Sequence, residues 1–193
     1  MLLKNCDSSS LVVDTLCDWT KGQNSAVAYF YFDFAAKEEQ SPASILSSLL
    51  KQVVGELKEV PAKIAQVFQD EVGGRELELS QVVEMLQDIS QPIFICIDAL
   101  DECKAECRAK LLDSLKQILH KSPSTRIFLA GRLHIRGEVE KRLAGRVVAV
   151  SVTPTQDDII RFLRAKLEQD THAIGKSLEE DIIKKISETI SEV

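Results

Sequence analysis

Four nearly all-apolar runs, each set off by a segment of helical periodicity, constrain this chain more than any other feature. They are Ala26 to Phe34 (AVAYFYFDF), Pro92 to Asp98 (PIFICID), Arg126 to Gly131 (RIFLAG) and Val147 to Val152 (VVAVSV). A strand with one wet face alternates apolar and polar residues. A strand covered on both faces reads as continuously apolar, and that is the signature of parallel sheets whose crossovers are helices. Between the runs lie helical patterns. Ser8 to Ser10 read as caps for a helix over Leu11 to Trp19. Ser41-Pro42 places an N-cap and an N1 proline before a stripe of Ile45, Leu46, Leu49, Leu50, Val53 and Leu57. A further helix is expected after Val60-Pro61, closed by Gly73-Gly74, then one over Leu79 to Ile89. Another spans Ala105 to His120, with Leu111, Leu112, Leu115, Ile118 and Leu119 inward, and a short one covers Gly137 to Leu143. Thr155 with Asp158 makes a capping-box start for a helix burying Ile159, Ile160, Leu163 and Leu167. A last helix begins near Ser177, with Ile182, Ile183 and Ile186 inward. Right-handed crossovers make an α/β/α sandwich of three layers, with a mainly parallel sheet, the simplest topology.

Ligands of such sheets bind at the carboxyl ends of the strands. The run IFICIDALDE puts Asp98 at one of those ends and Asp101 and Glu102 just beyond it. Carboxylates so spaced suit metal-assisted phosphoryl chemistry: one to hold Mg²⁺, largely through water, and another to orient or deprotonate an attacking water. Taken singly, Asp101 or Glu102 is better read as an acidic residue favoured before the helix that starts at Ala105; the complete string points to function instead.

IFICIDALDEC closely resembles the Walker B segment of NACHT-type NTPases of the STAND class, particularly the large fungal set called nephrocystin-like. AVAYFYFDF followed by EEQSPASILSSLLKQVV is similar to the strand and helix after that family's P-loop helix. RIFLAGR resembles its sensor 1 strand, and VVAVSVTPTQDDIIRFL its fifth strand and following helix. The matches occur in the family's order and cover almost the whole chain. The resemblance implies a nucleotide-controlled signalling switch using ATP or GTP with Mg²⁺. Asp98 would be the Mg²⁺-associated carboxylate, Asp101 with Glu102 the water-activating acids, and Arg132 a sensor facing the γ-phosphate. Where the family usually has Thr-Ser before this Arg and Pro after it, the chain has Ala130, Gly131 and Leu133.

A phosphate-binding loop needs G-x-x-x-x-G-K-[ST], so that backbone amides cradle the phosphates and Lys reaches the β/γ oxygens. No such string is present; the place the resemblance assigns to it falls near Lys4-Asn5-Cys6. The expectation is therefore a partial NACHT domain over 1–193, with its core over 8–170 and a C-terminal helix over 177–193. Its sheet would lack the first, central strand, and hydrolysis by this chain alone would be very weak or absent. The alternatives are a non-catalytic interaction module and a structural remnant of the same fold. Protein partners or self-association are expected on either reading.

Composition closes off other classes. The formal net charge is -6 and no basic stripe with interleaved aromatics occurs, which argues against direct nucleic-acid binding. No apolar run approaches the roughly 20 residues of a membrane-spanning helix, and the N-terminal residues do not read as a secretory signal. The expected compartment is the cytosol. The five cysteines (Cys6, Cys17, Cys96, Cys103, Cys107) read as free thiols, although Cys103 and Cys107 are spaced to share a helix face.

Overall fold

A computed structural model describes residues 6–32, 40–70, 77–145, 147–152, 155–169 and 176–191. The chain divides into two compact units, Met1–Val147 and Val148–Val193.

In the first unit the elements run α1 (Cys6–Thr20), β1 (Ala26–Tyr31), α2 (Pro42–Glu56), α3 (Ala62–Asp70), α4 (Leu79–Asp88) and β2 (Ile93–Asp98). A 3₁₀ turn (Leu100–Glu102), α5 (Ala105–Lys121), β3 (Arg126–Leu129), a second 3₁₀ turn (Leu133–Ile135) and α6 (Arg136–Arg142) complete it. The strands form one parallel sheet in the order β1-β2-β3. Residues alternate between its faces. Ala26, Ala28, Ile93, Ile95 and Ile97 are fully buried with Ile45, Leu46, Leu49 and Leu50 of α2, Leu86 of α4, and Leu111, Leu112 and Leu115 of α5. The opposite face carries Val27, Tyr29, Phe94, Cys96 and Phe128 and receives α1, whose Trp19 meets Phe94 edge-on at a centroid distance of 5.5 Å. Helices on both faces make the three layers expected.

The two edges of the sheet differ. The outer edge of β1 is closed by side chains of α2: Tyr29 N–H donates to Gln52 Oε1 at 3.0 Å, Gln52 Nε2 donates to the Tyr29 carbonyl at 2.9 Å, and Val27 N–H donates to Glu56 Oε2 at 2.9 Å. Gln52 thus stands in for a neighbouring strand, a device that blunts edge-to-edge association. Ser41 caps α2, accepting from Ser44 N–H at 3.0 Å, with Pro42 at the first helical position.

In the second unit Thr155 and Asp158 form the capping box reciprocally. Asp158 N–H donates to Thr155 Oγ1 at 3.2 Å, and Thr155 N–H donates to Asp158 Oδ2 at 3.0 Å, ahead of α7 (Gln156–Gln169). The two hydrogen bonds from Thr155 hold the Asp158 carboxyl below its ordinary pKa. Helix α8 (Lys176–Ser191) follows, with Ile182 and Ile183 half-buried and Ile186 exposed.

Three expectations are corrected. Val147–Val152 is not a strand: its residues are exposed, Val148 to 90% and Val150 to 79%. A β-branched run becomes a strand only where a ladder neighbour satisfies its backbone, and no described strand pairs with it. Ser8 to Ser10 lie inside α1 rather than capping it, since the helix already starts at Cys6. The strand begun at Ala26 ends at Tyr31. The expected reach of that strand to Phe34, the Gly73-Gly74 helix stop and the Lys4-Asn5 stretch lie outside the described residues. Among the described residues no helix is long and apolar enough to cross a membrane.

Candidate functional site

The acidic string lies at the carboxyl end of β2. Ile93, Ile95 and Ile97 are held in the core, and this fixes the register that leaves Asp98 as the last residue of β2. The chain then turns sharply. Ala99 has φ 53° and ψ 39°, the left-handed region, and is the only non-glycine with positive φ among the described residues. Such a conformation in a residue with a Cβ costs roughly 1 kcal/mol and persists only where neighbours over-determine it. Here they do. Ala99 N–H donates to Asp98 Oδ1 at 2.7 Å, Leu100 N–H to the Ala130 carbonyl at 3.0 Å, and Ala130 N–H to the Ile97 carbonyl at 2.9 Å. The turn after β2 is thereby stitched to the end of β3, and the 3₁₀ turn that follows presents Asp101 and Glu102 on the same side as Arg132.

Asp101 is the better buried acid, with its side chain 6% exposed against 21% for Glu102. Its Oδ1 accepts from Arg132 N–H at 3.1 Å, and its Oδ2 lies 3.2 Å from Arg132 Nε. Arg132 Nη2 donates to Glu102 Oε1 at 3.3 Å. One guanidinium, itself 54% exposed, therefore spans both carboxylates. Gly131 makes the approach feasible. A Cβ there would lie 2.8 Å from Ile135 Cδ1, 3.3 Å from Asp101 Oδ1 and 3.4 Å from Asp101 N.

Arg108, in the first turn of α5, ties the two halves of this region together. It donates from Nη1 to the Cys103 carbonyl at 2.9 Å and from Nε to Glu138 Oε2 of α6 at 2.8 Å. Arg142 of α6 returns the link by donating to both Asp113 oxygens at 2.9 and 2.8 Å. Beside Glu102 a small depression is lined by Gln40, Cys103, Lys104 and Cys107, with Cys107 Sγ bonded to the Gln40 carbonyl at 3.3 Å. Burial, and then the hydrogen bond with Cys107, push the Cys103 thiol up to about 12, so it is a neutral thiol at ordinary pH.

The four residues singled out from the sequence thus lie at the carboxyl end of β2 and β3, but not as a cage. Asp101, Glu102 and Arg132 are in direct contact, whereas Asp98 is engaged by the Ala99 amide. Among the described residues no three acidic, His or Cys side chains converge closely enough to chelate a metal. That donor set suits Mg²⁺ only in its usual manner, through one or two carboxylates with water and phosphate oxygens completing the shell. Sequence reasoning missed Ala99, Gly131 and Arg108. Only Gly131, a small residue between a strand and Arg132, left a trace that could have been read.

Comparison with solved structures places the architecture. The Walker-type ATPase PABY2304 of Pyrococcus abyssi is similar over 95% of this chain and 63% of its own, at 14% identity and a TM-score of 0.50. A DNA replication initiation factor matches over 100% of this chain and 61% of its own, at 11% identity and a TM-score of 0.42. The chain therefore spans a little under two thirds of the length of these structures, and at such identity the first of them speaks for the fold alone, a P-loop NTPase-like α/β fold. No curated protein sequence matches significantly. The pattern of the family described as nephrocystin 3, N-terminal, matches residues 8–132, a span running from α1 through β1, β2 and β3 to Arg132, and the chain belongs to that family.

Proposed function

We propose that this chain is a nucleotide-binding switch domain of the NACHT type in a STAND-class signalling protein, binding ATP or GTP with Mg²⁺ at the carboxyl end of β2. The observation that carries the reading is the carboxylate-bearing turn Asp98–Glu102, stitched to Arg132 at the end of a parallel sheet of P-loop NTPase-like fold. In α/β sheets this is the edge at which ligands bind. The partial domain would extend over residues 1–193, with its core over 8–170.

Each residue has a defined task in this reading. Asp98 holds the hydrated cation, its Oδ1 oriented by the Ala99 amide. Mg²⁺, when bound, neutralises phosphate oxygens. Asp101 accepts a hydrogen bond from the attacking water and takes its proton, and Glu102 shares that charge. Arg132, as the resemblance implies, would meet the terminal phosphate. The sequence contains no G-x-x-x-x-G-K-[ST] string, whose amides and Lys supply most phosphate contacts in such sites. Turnover by these residues alone is accordingly very slow, and the chain works by occupancy rather than by flux.

A second reading, a protein-interaction module with the same fold, is favoured by the α1 side of the sheet. Trp19, Tyr29, Tyr31 and Phe128 are all more than a third exposed there. Calorimetric titration with Mg-ATP and Mg-GTP separates the two. Micromolar binding that is abolished by Asp98→Ala supports the switch. Absence of heat with both nucleotides overturns it and leaves the interaction module.

A further inference from the structure

Two thiols beside the acid turn take no part in the reading above. Cys103 lies just before Lys104, the N-cap of α5, and Cys107 lies in the first turn of that helix. Both line the small depression next to Glu102, which at about 20 Å³ has room for one small polar molecule. Cys103 is 5% exposed, Cys107 is half-buried, and both are free thiols. Their hydrogen bonds run in one direction. Cys107 Sγ donates to the Gln40 carbonyl at 3.3 Å. The bond between the two thiols favours the protonated form of Cys103, so Cys103 is its donor and the Cys107 sulfur its acceptor. The order is therefore Cys103 S–H to Cys107 Sγ, and Cys107 S–H to the carbonyl just ahead of α2. Two sulfurs in hydrogen-bond contact need only a short closing movement to reach the about 2.05 Å of a disulfide. We infer that Cys103 and Cys107 are a reversible oxidation site, at which a peroxide converts the thiol pair to an intramolecular disulfide.

Access divides the chemistry between the two sulfurs. Cys107 is the more exposed and meets the peroxide. Its sulfur attacks one peroxide oxygen, the O–O bond breaks, and the sulfur gives up two electrons. The products are the Cys107 sulfenic acid and one water. Cys103 is a buried, neutral thiol and is slow towards peroxide itself. Its S–H already points at the Cys107 sulfur. It attacks that sulfur, the S–S bond forms and the S–O bond breaks. The Cys103 proton leaves with the hydroxyl as a second water. A thiol reductant reverses the step by exchange. The oxidised pair changes two connections. A disulfide sulfur has no proton to donate, so the bond from Cys107 to the Gln40 carbonyl is lost. Cys103 N–H donates to the Leu100 carbonyl at 3.2 Å and closes the 3₁₀ turn that carries Asp101 and Glu102. Oxidation therefore ties that turn covalently to α5 and releases α5 from the segment ahead of α2.

The test treats the full chain with hydrogen peroxide, counts free thiols and maps tryptic peptides without reduction. Cleavage after Lys104 and Arg108 puts the two cysteines in separate peptides, so the disulfide appears as a joined pair that dithiothreitol separates. The parent is expected to lose two of its five free thiols and to yield that joined pair. Cys103→Ser lacks the second thiol, so Cys107 should stop at the sulfenic acid and be trapped by dimedone. In Cys107→Ser, Cys103 should stay reduced. A parent whose Cys103 and Cys107 remain reduced overturns the proposal, as do joined peptides that contain Cys6, Cys17 or Cys96 instead. Cys107 passing to the sulfinic acid as fast in the parent as in Cys103→Ser also overturns it, because Cys103 then does not intercept the sulfenic acid. The parent alone decides whether the disulfide forms, so a variant that fails to fold leaves the test standing. None of these readouts depends on nucleotide binding.

Discussion

Gly131→Ala tests whether the end of β3 presses on the acid turn as closely as the structure requires. The added methyl would lie 2.8 Å from Ile135 Cδ1, inside any real carbon–carbon contact, and 3.3 and 3.4 Å from Asp101 Oδ1 and N. The isoleucine tip can rotate, although Ile135 is buried. Asp101 has less room, because Arg132 N–H and the guanidinium hold it. Forcing a methyl into packed surroundings costs about 1–3 kcal/mol. The backbone of Gly131 is not in the left-handed region, so alanine also removes unfolded-state freedom, a gain of about 0.4–1 kcal/mol. The balance is a loss of about 1 kcal/mol, which for a chain of this size lowers the Tm by about 2–4 °C. Urea unfolding followed by circular dichroism measures it. Ile135→Val supplies the second arm of a double-mutant cycle: shortening the isoleucine should recover most of the loss if its Cδ1 is the obstruction. Gly55→Ala is the counter-example, because nothing lies within 4 Å of a Cβ there and Gly55 is inside α2. It should stabilise by about 0.5–1 kcal/mol. A Gly131→Ala protein as stable as Gly55→Ala would refute the close approach, and with it the account of how Asp101 is positioned.

Two further outcomes follow from the same region and the core beneath it. Arg108→Met keeps the apolar stem but removes the bonds to the Cys103 carbonyl and Glu138, on a side chain only 12% exposed. It should cost about 2 kcal/mol in urea unfolding, and a loss below about 0.5 kcal/mol would show that Arg108 does not join α5 to α6. Burial pushes the Cys96 thiol up to about 11 and the Cys103 thiol up to about 12, from 9.0. The folded chain thus keeps protons that the unfolded chain gives up. Stability from these thiols is complete below pH 9 and falls as pH rises through 11, by up to about 1.4 kcal/mol per pH unit for each thiol. Unfolding measured from pH 8 to 10.5 should show a shallower decline for Cys96→Ala than for the parent, and parallel curves would contradict this.

How much of this was legible in the sequence depends on whether a residue's fate is decided locally. The bounds of α2 follow from Ser41, Pro42 and a stripe of apolar residues, and the structure places them there. Asp98 ends β2 because five apolar residues precede it, a matter of pattern and length. Val147–Val152 has the same composition as a buried strand, yet strand formation is a property of the neighbour as much as of the segment. The exposure of its valines was not readable from the run itself. Ala99 shows the limit from the other side. Nothing in alanine favours a left-handed backbone; the Leu100–Ala130 and Ala130–Ile97 bonds impose it. The resemblance implied Arg132 as a sensor facing the γ-phosphate, and its pairing with two acids was not readable. That depended on Gly131 allowing β3 and the acid turn to close on each other.

The central claim is that the turn Asp98–Glu102 with Arg132 is where Mg²⁺ and nucleotide bind, and backbone amide chemical-shift mapping during titration with Mg-ATP addresses it most directly. The account predicts that the largest changes fall on Asp98 to Cys103 and Gly131 to Leu133, and that Asp98→Ala removes them. Changes confined to the groove between α1 and the sheet, around Val12, Leu16 and Phe128, or no changes at all, would contradict it.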